Sequence, residues 1–191
     1  MNLILASASP RRKELLGLFR IPFVIRAADI DETMNPEANP MDEVARVSRL
    51  KAAATPHGEN DVVIAADTIV VCRGKVLGKP RDAEDACGML RLLSGRDHQV
   101  MTGVTVLRAD RCESFTEVTD IHFRDLTEKE ICDYVATGEP MDKAGSYGIQ
   151  GGAALFCSHM VGDYYNVMGL PVCRLGQTLR RMAPEMMGEI L

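Results

Sequence analysis

Short apolar runs, each closed by a capping or turn residue, divide the chain into alternating strand-like and helix-like stretches. Residues 2–6, Asn-Leu-Ile-Leu-Ala, have the length and apolar content of a short buried strand. Ser9 followed by Pro10 has the form of a helix N-cap with proline at the first helical position. The helix predicted from 10 to about 19 places Leu15, Leu16 and Phe19 on its inner side. Phe23 to Arg26 resumes an extended pattern and runs into an acidic loop that lasts until Asn39-Pro40, a second cap-and-proline start. On the helical wheel of 40–55, Asp42, Glu43, Arg46 and Arg49 gather on one side, with Val44, Val47 and Ala54 opposite.

Val62 to Ala66 is a continuous apolar run of the kind a central strand shows, and Ile69 to Cys72 continues it beyond Asp67-Thr68. Arg73-Gly74-Lys75 reads as a turn, and Asp82 caps a helix to about Leu93 that Ser94-Gly95 stops. Residues 98–108 and 114–124 read as two long strands. Thr127 with Glu130 forms a capping box for a helix that ends at Gly138-Glu139-Pro140. Gly145, Gly148, Gly151 and Gly152 mark a flexible loop before a strand expected at 153–157, and Pro171 opens a last helix with Val172, Leu175 and Leu179 on one face. Helices and strands alternate irregularly, with strand pairs in the middle, which predicts an α/β fold built on a mixed sheet. No repeat, low-complexity tract or linker interrupts the 191 residues, a length that suits one compact unit or two closely joined lobes.

Composition narrows the class. The sum of 22 Lys+Arg against 27 Asp+Glu is −5, and with no Trp and 5% aromatic residues the chain lacks both the basic excess and the stacking platforms of a nucleic-acid binder. Six cysteines, none in C-x-x-C spacing, read as buried free thiols in a reducing cytoplasm. Four scattered histidines pair with none of them at zinc spacing. The N-terminal apolar run is too short for a secretion signal, and no stretch approaches the ~18 apolar residues of a membrane span, so a soluble protein is expected.

Six places carry candidate chemistry. In Ser7-Ala8-Ser9-Pro10-Arg11-Arg12 a strand ends and a helix begins with two arginines, so unpaired N–H groups, the helix dipole and guanidinium forks would converge on an anion such as phosphate. Cations in a first helical turn oppose the dipole, and the alternative is a plain serine cap with solvated arginines. Lys51 falls on the apolar side of its helix, four residues after Val47, where it either snorkels to an edge or meets counter-charges in a site. Asp67 is the sole charge in the run Val62 to Cys72; it is paired, metal-binding, a base, or a structural aspartate bonded to backbone amides.

Asp31 and Glu32 would complete a carboxylate cluster with Asp67 for Mg²⁺ or Mn²⁺, unless the acidic loop is only solvated. Lys79 in Gly78-Lys79-Pro80 is a weaker candidate. The glycine-rich 142–151 loop allows close approach to a ligand, with Gln150 able to read an amide-like base edge, or is a plain turn between strands. Neither a Walker-type phosphate loop nor a Gly-x-Gly-x-x-Gly fingerprint occurs.

Taken together, Leu5-Ala6-Ser7-Ala8-Ser9-Pro10-Arg11-Arg12, Asp31-Glu32-Thr33, Lys51-Ala52, Ala66-Asp67-Thr68, Gly78-Lys79-Pro80, the Ala144 to Gly151 loop and Val167-Met168-Gly169-Leu170-Pro171 resemble the Maf family of nucleotide pyrophosphatases, in the family's order. The resemblance implies a single Maf-like domain over 1–191, with a two-lobed mixed-sheet fold similar to the inosine triphosphate pyrophosphatases and a cleft between the lobes. It implies hydrolysis of a nucleoside triphosphate to the monophosphate and pyrophosphate with a divalent cation, Mg²⁺ or Mn²⁺, in a cytoplasmic homodimer. Asp67, Glu32, Lys51 and Lys79 are the catalytic residues it points to, with Glu32 and Asp67 as metal ligands. Ser7, Ser9, Arg12, Thr68 and Gln150 are those for substrate binding and specificity. Asp67-Thr68 and Tyr147-Gly148-Ile149-Gln150 look like the branch acting on dTTP and UTP. The rival readings are a non-catalytic nucleotide-binding regulator of cell division and a house-cleaning enzyme for modified nucleotides.

Overall fold

A computed structural model describes residues 1–188 of the chain. Its elements run β1 (Leu3–Leu5), α1 (Pro10–Gly17), β2 (Phe23–Ile25), α2 (Pro40–Ala54), β3 (Val62–Cys72), β4 (Lys75–Leu77), α3 (Ala83–Leu93), β5 (Asp97–Arg108), β6 (Arg111–Phe123), α4 (Glu128–Ala136), β7 (Cys157–Val161), α5 (Tyr164–Val167), α6 (Val172–Met182) and α7 (Pro184–Met187). Three short 3₁₀ turns, Glu139–Asp142, Ala144–Ser146 and Gly152–Leu155, lie between α4 and β7.

The strands form one mixed sheet in the order β2-β1-β3-β5-β6-β7, with β4 added to β3. β1 is parallel to both neighbours, Ile4 standing opposite Val24 and Val63, whereas β4 runs antiparallel to β3 and β7 antiparallel to β6. Parallel strands buried on both faces are continuously apolar, which is why β1 and the first half of β3 lack alternation.

The chain divides into two compact units. Among the described residues one holds Met1–Asp67, Thr102–Glu117 and 169–188; the other holds Thr68–Met101 and Val118–Met168. In the first, Ile4, Ala6, Ala52, Val63 and Ala65 form a core with Leu107 against it. Helix α2 lies so close to β5 that a Cβ on Gly103 would stand 2.4 Å from the Val44 carbonyl oxygen. That contact fixes the helix that bears Lys51. In the second unit, Leu90 and Leu93 of α3 and Ile131 and Tyr134 of α4 pack around Phe123, whose ring meets His98 and Tyr147 edge-on at 4.8 Å. Burial draws the His98 imidazole down to about 4, so it is neutral in that core.

Most expected boundaries hold to within a few residues, including the caps at Ser9, Asn39, Asp82 and Thr127. The strand expected at 153–157 does not form. Ala153 and Phe156 are both buried three residues apart, the spacing a 3₁₀ turn brings to one side, and β7 begins only at Cys157. Lys75 belongs to β4 and not to the turn: Arg73 and Gly74, both with positive φ, alone make the hairpin. Ala54 is exposed at the end of α2, while Glu43, placed on the polar side, is buried. All six cysteines are free, but of these Cys72 is buried and Cys112, Cys132 and Cys173 are exposed. Among the described residues no helix is long and apolar enough to cross a membrane. Of the chain's last residues, Pro184–Met187 form α7 with Met187 buried, and residues 189–191 lie outside the described part.

Candidate active site

The first unit brings six of the expected residues into one electrostatic neighbourhood. Asp67 is the last residue of β3 in this unit, 8% exposed, and α2 directs Lys51, 9% exposed, at it. Lys51 Nζ donates to Asp67 Oδ1 at 2.7 Å and stands 3.0 Å from Glu32 Oε1. The lysine on the apolar face thus meets counter-charges, and the lone charge in the apolar run is paired. Replacing a buried ion pair by apolar residues is often neutral or stabilising, so stability gives little reason to keep this one.

Glu32 lies on an exposed loop, its side chain 55% exposed, and two residues outside the family motifs hold that loop to α2. Glu43 and Arg46 form a two-pronged pair at 2.8 Å; Glu43 Oε2 also accepts the Asn35 N–H at 2.8 Å, and Arg46 Nη2 donates to the Thr33 carbonyl at 2.9 Å. The hydrogen bond from Arg46, then that from the Asn35 amide, hold the Glu43 carboxyl down to about 2. A Glu at the first turn of α2 reads as a dipole-matched surface residue, and only the loop's fold reveals this clamp. Asp31 does not join the cluster: its Oδ1 accepts the Thr33 N–H at 2.9 Å, bracing its own turn. Two carboxylates meet at Lys51, not three.

At the start of α1, Ser9 Oγ accepts the Arg12 N–H at 3.5 Å, closing the cap. The buried Ser7 Oγ accepts from Ser9 N–H at 3.2 Å and from Arg12 Nη1 at 3.3 Å, and Arg12 Nε donates to the Gly169 carbonyl at 2.9 Å. Arg12 is therefore fixed by the chain on both sides of its fork rather than solvated. Burial lowers its pKa, while Asp67 and Glu32 raise it and Arg11 lowers it. A helix N-terminus beside a fixed guanidinium and a buried ammonium suits a phosphate group.

Thr68, Lys79 and Gln150 belong to the second unit. Thr68 is half-buried and follows Asp67 on β3, so its side chain leaves the strand on the opposite face. Lys79 is exposed between Gly78, whose carbonyl accepts the Gly145 N–H at 3.0 Å, and the buried Pro80. Gln150 is exposed in the turn that Gly151 N–H closes on Gly148 O at 3.1 Å. Among the described residues no three His, Cys, Asp or Glu side chains stand together as a ready cage for a metal. Glu32 and Asp67 nonetheless focus two hard oxygen donors on one cation, and Mg²⁺ is usually held by one or two carboxylates with substrate phosphates filling further positions. The pair fits such an ion.

The chain is 50% identical over 182 residues to the dTTP/UTP pyrophosphatase of Geobacillus sp. (strain WCH70), covering 95% of this chain and 98% of that protein. It is 48% identical over 179 residues to the dTTP/UTP pyrophosphatase of Bacillus cytotoxicus, covering 93% and 94%. Among solved structures, a HAM1 protein from Coxiella burnetii superposes with a TM-score of 0.50 at 15% identity, over 95% of this chain and 99% of the other, a likeness of fold. The pattern described as Maf-like protein matches residues 2–182, from the start of β1 to the end of α6, and on that match the chain belongs to the Maf family.

Proposed function

We propose that the chain is a nucleoside triphosphate pyrophosphatase that cleaves dTTP and UTP between the α and β phosphates. The relatives named for that activity align over nearly their whole length. The observation that brings the reading to this chain is the buried Lys51–Asp67 pair, joined by Glu32, in whose field Arg12 lies.

In this reading Asp67 takes the proton of the attacking water, and Lys51 orients the carboxylate for that task. As the water oxygen bonds to the α-phosphorus, the bond from that phosphorus to the bridging oxygen breaks and pyrophosphate leaves. Arg12, Lys51 and Lys79 offset the charge that develops, and Ser9 with the N-terminus of α1 holds phosphate oxygens while Ser7 orients Arg12. Thr68 and Gln150 act on the base; thymine and uracil share the edge an amide reads, so both are accepted. A Mg²⁺ or Mn²⁺ ion held by Glu32 and Asp67 would polarise a phosphate oxygen when bound. A purely nucleotide-binding regulator has no use for a buried carboxylate–ammonium pair, and nothing in the site favours that alternative. Free thiols throughout support a reducing compartment, and the homodimer that the family resemblance implies stays part of the proposal.

The test is a panel of normal and modified triphosphates with Mg²⁺ or Mn²⁺, assayed for pyrophosphate and orthophosphate. Expected is pyrophosphate from dTTP and UTP with kcat/KM at least ~10-fold above that for ATP, GTP and CTP. Orthophosphate as product, or tight binding without turnover, contradicts the proposal. A modified pyrimidine triphosphate turned over faster than both would make house-cleaning its role.

A further inference from the structure

Two side chains that the chemistry above does not use hold the loop of Gln150 from within. Glu139 Oε1 accepts the Tyr134 hydroxyl at 2.9 Å, and Oε2 accepts the Gly152 N–H at 3.1 Å. The Tyr134 oxygen in turn accepts the Gly148 N–H at 3.0 Å. Between these anchors lies the turn that Gly151 N–H closes on Gly148 O, with Ile149 and Gln150 at its corners. Tyr134 is buried and edge-on to Phe156 at 5.2 Å, so its hydroxyl has a fixed origin. Lys143 Nζ, bonded to the Glu139 carbonyl at 2.6 Å, closes the other side.

The glycines answer to the same carboxylate. A Cβ on Gly151 would stand 2.1 Å from Glu139 Oε1, and one on Gly148 would stand 2.8 Å from Lys143 Cε and 3.0 Å from Glu139 Oε1. A side chain at either position would push the ends of Glu139 and Lys143 out of these contacts, so the two glycines let the loop close on its own anchor. Ligand approach is not required to explain them.

We propose that Tyr134 and Glu139 are positioning residues that hold the Gly148–Gly151 turn, and with it Gln150, in the geometry that receives the base of the nucleoside triphosphate. This rests on the reading above in which Gln150 acts on the base. Both residues work through the turn and neither is assigned to the reacting atoms, so their effect falls on substrate binding and not on the chemical step.

Steady-state kinetics on dTTP and UTP with Tyr134→Phe, Glu139→Ala, Glu139→Gln and Gln150→Ala test the proposal. Tyr134→Phe and Glu139→Ala each remove hydrogen bonds that anchor the turn, and are expected to raise KM by ~10-fold with kcat within about twofold, as Gln150→Ala does. Glu139→Gln keeps an oxygen for the Gly152 N–H and recovers most of the change. Amide exchange at Gly148, Gly151 and Gly152 quickens in Tyr134→Phe and Glu139→Ala. If Gln150→Ala raises KM while Tyr134→Phe and Glu139→Ala do not, the positioning role is overturned and the base reading stands. If Gln150→Ala leaves KM unchanged, the base reading itself fails and the proposal falls with it. A loss of kcat equal to the loss of kcat/KM in Tyr134→Phe, the mildest substitution, would also overturn it.

Discussion

Removing the Lys51 ammonium leaves the Asp67 carboxylate buried without its 2.7 Å partner, and breaking a buried pair from one side costs about 3–5 kcal/mol. Lys51→Met is therefore expected to lower the denaturant midpoint sharply, while Lys51→Met combined with Asp67→Leu recovers most of the stability and no activity. Urea titrations of the three proteins check this, and an unchanged midpoint for Lys51→Met would contradict the pairing. Glu43 makes a prediction about acid. Its carboxyl lies at about 2 against an ordinary 4.5, so it binds fewer protons folded than unfolded, and its contribution is full above pH 4.5 and lost as pH falls toward 2. Glu43→Gln should flatten the acid-unfolding curve in that window, and a curve identical to that of the unaltered protein would show that the clamp contributes nothing. Lys51 and Asp67 were legible in the chain because a charge in an apolar pattern is conspicuous. Glu43 was not, since an acidic residue in a first helical turn is ordinary, and its burial depends on where the 31–38 loop folds back.

Helix α4 links a local signal to the loop that holds Gln150. Its capping box is complete: Thr127 Oγ1 accepts the Glu130 N–H at 3.3 Å, and Glu130 Oε2 accepts the Thr127 N–H at 2.8 Å. Thr127→Ala is expected to cost about 1 kcal/mol, read as a lower thermal midpoint, and a midpoint equal to that of the unaltered chain would show the cap is dispensable. Caps and apolar runs were readable because they are short-range: a hydroxyl or carboxylate, a proline, and the first turn. β4 and the turn at 152–155 are among the elements that were not. β4 is three residues whose strand character comes from pairing with β3, and the apolar stretch 153–156 satisfies strand and 3₁₀ patterns equally until Ala153 and Phe156 find the second unit's core. Gly148 and Gly151 were visible as part of a loop, but their reason was not, because Glu139 approaches them through the fold of that segment.

At the scale of the molecule, the mixed sheet followed from the irregular alternation of elements, and the net charge of −5 left room for a small polyanion held by a few convergent cations. Charge is arranged by pairing: in the first unit Lys51 joins two carboxylates from different elements, and Arg12 is held between Ser7 and Gly169. Which unit each residue would join was not in the pattern, because the chain passes from one unit to the other within β3, between Asp67 and Thr68, with no break in the apolar run. The proposed chemistry rests on Asp67 taking a proton from water, which an amide of the same shape cannot do. The direct measurement is pyrophosphate release from dTTP by Asp67→Asn beside the unaltered protein, with nucleotide binding followed in parallel. Release lower by ~10²-fold or more with dTTP still bound is the predicted result, and full release by Asp67→Asn would contradict the assignment.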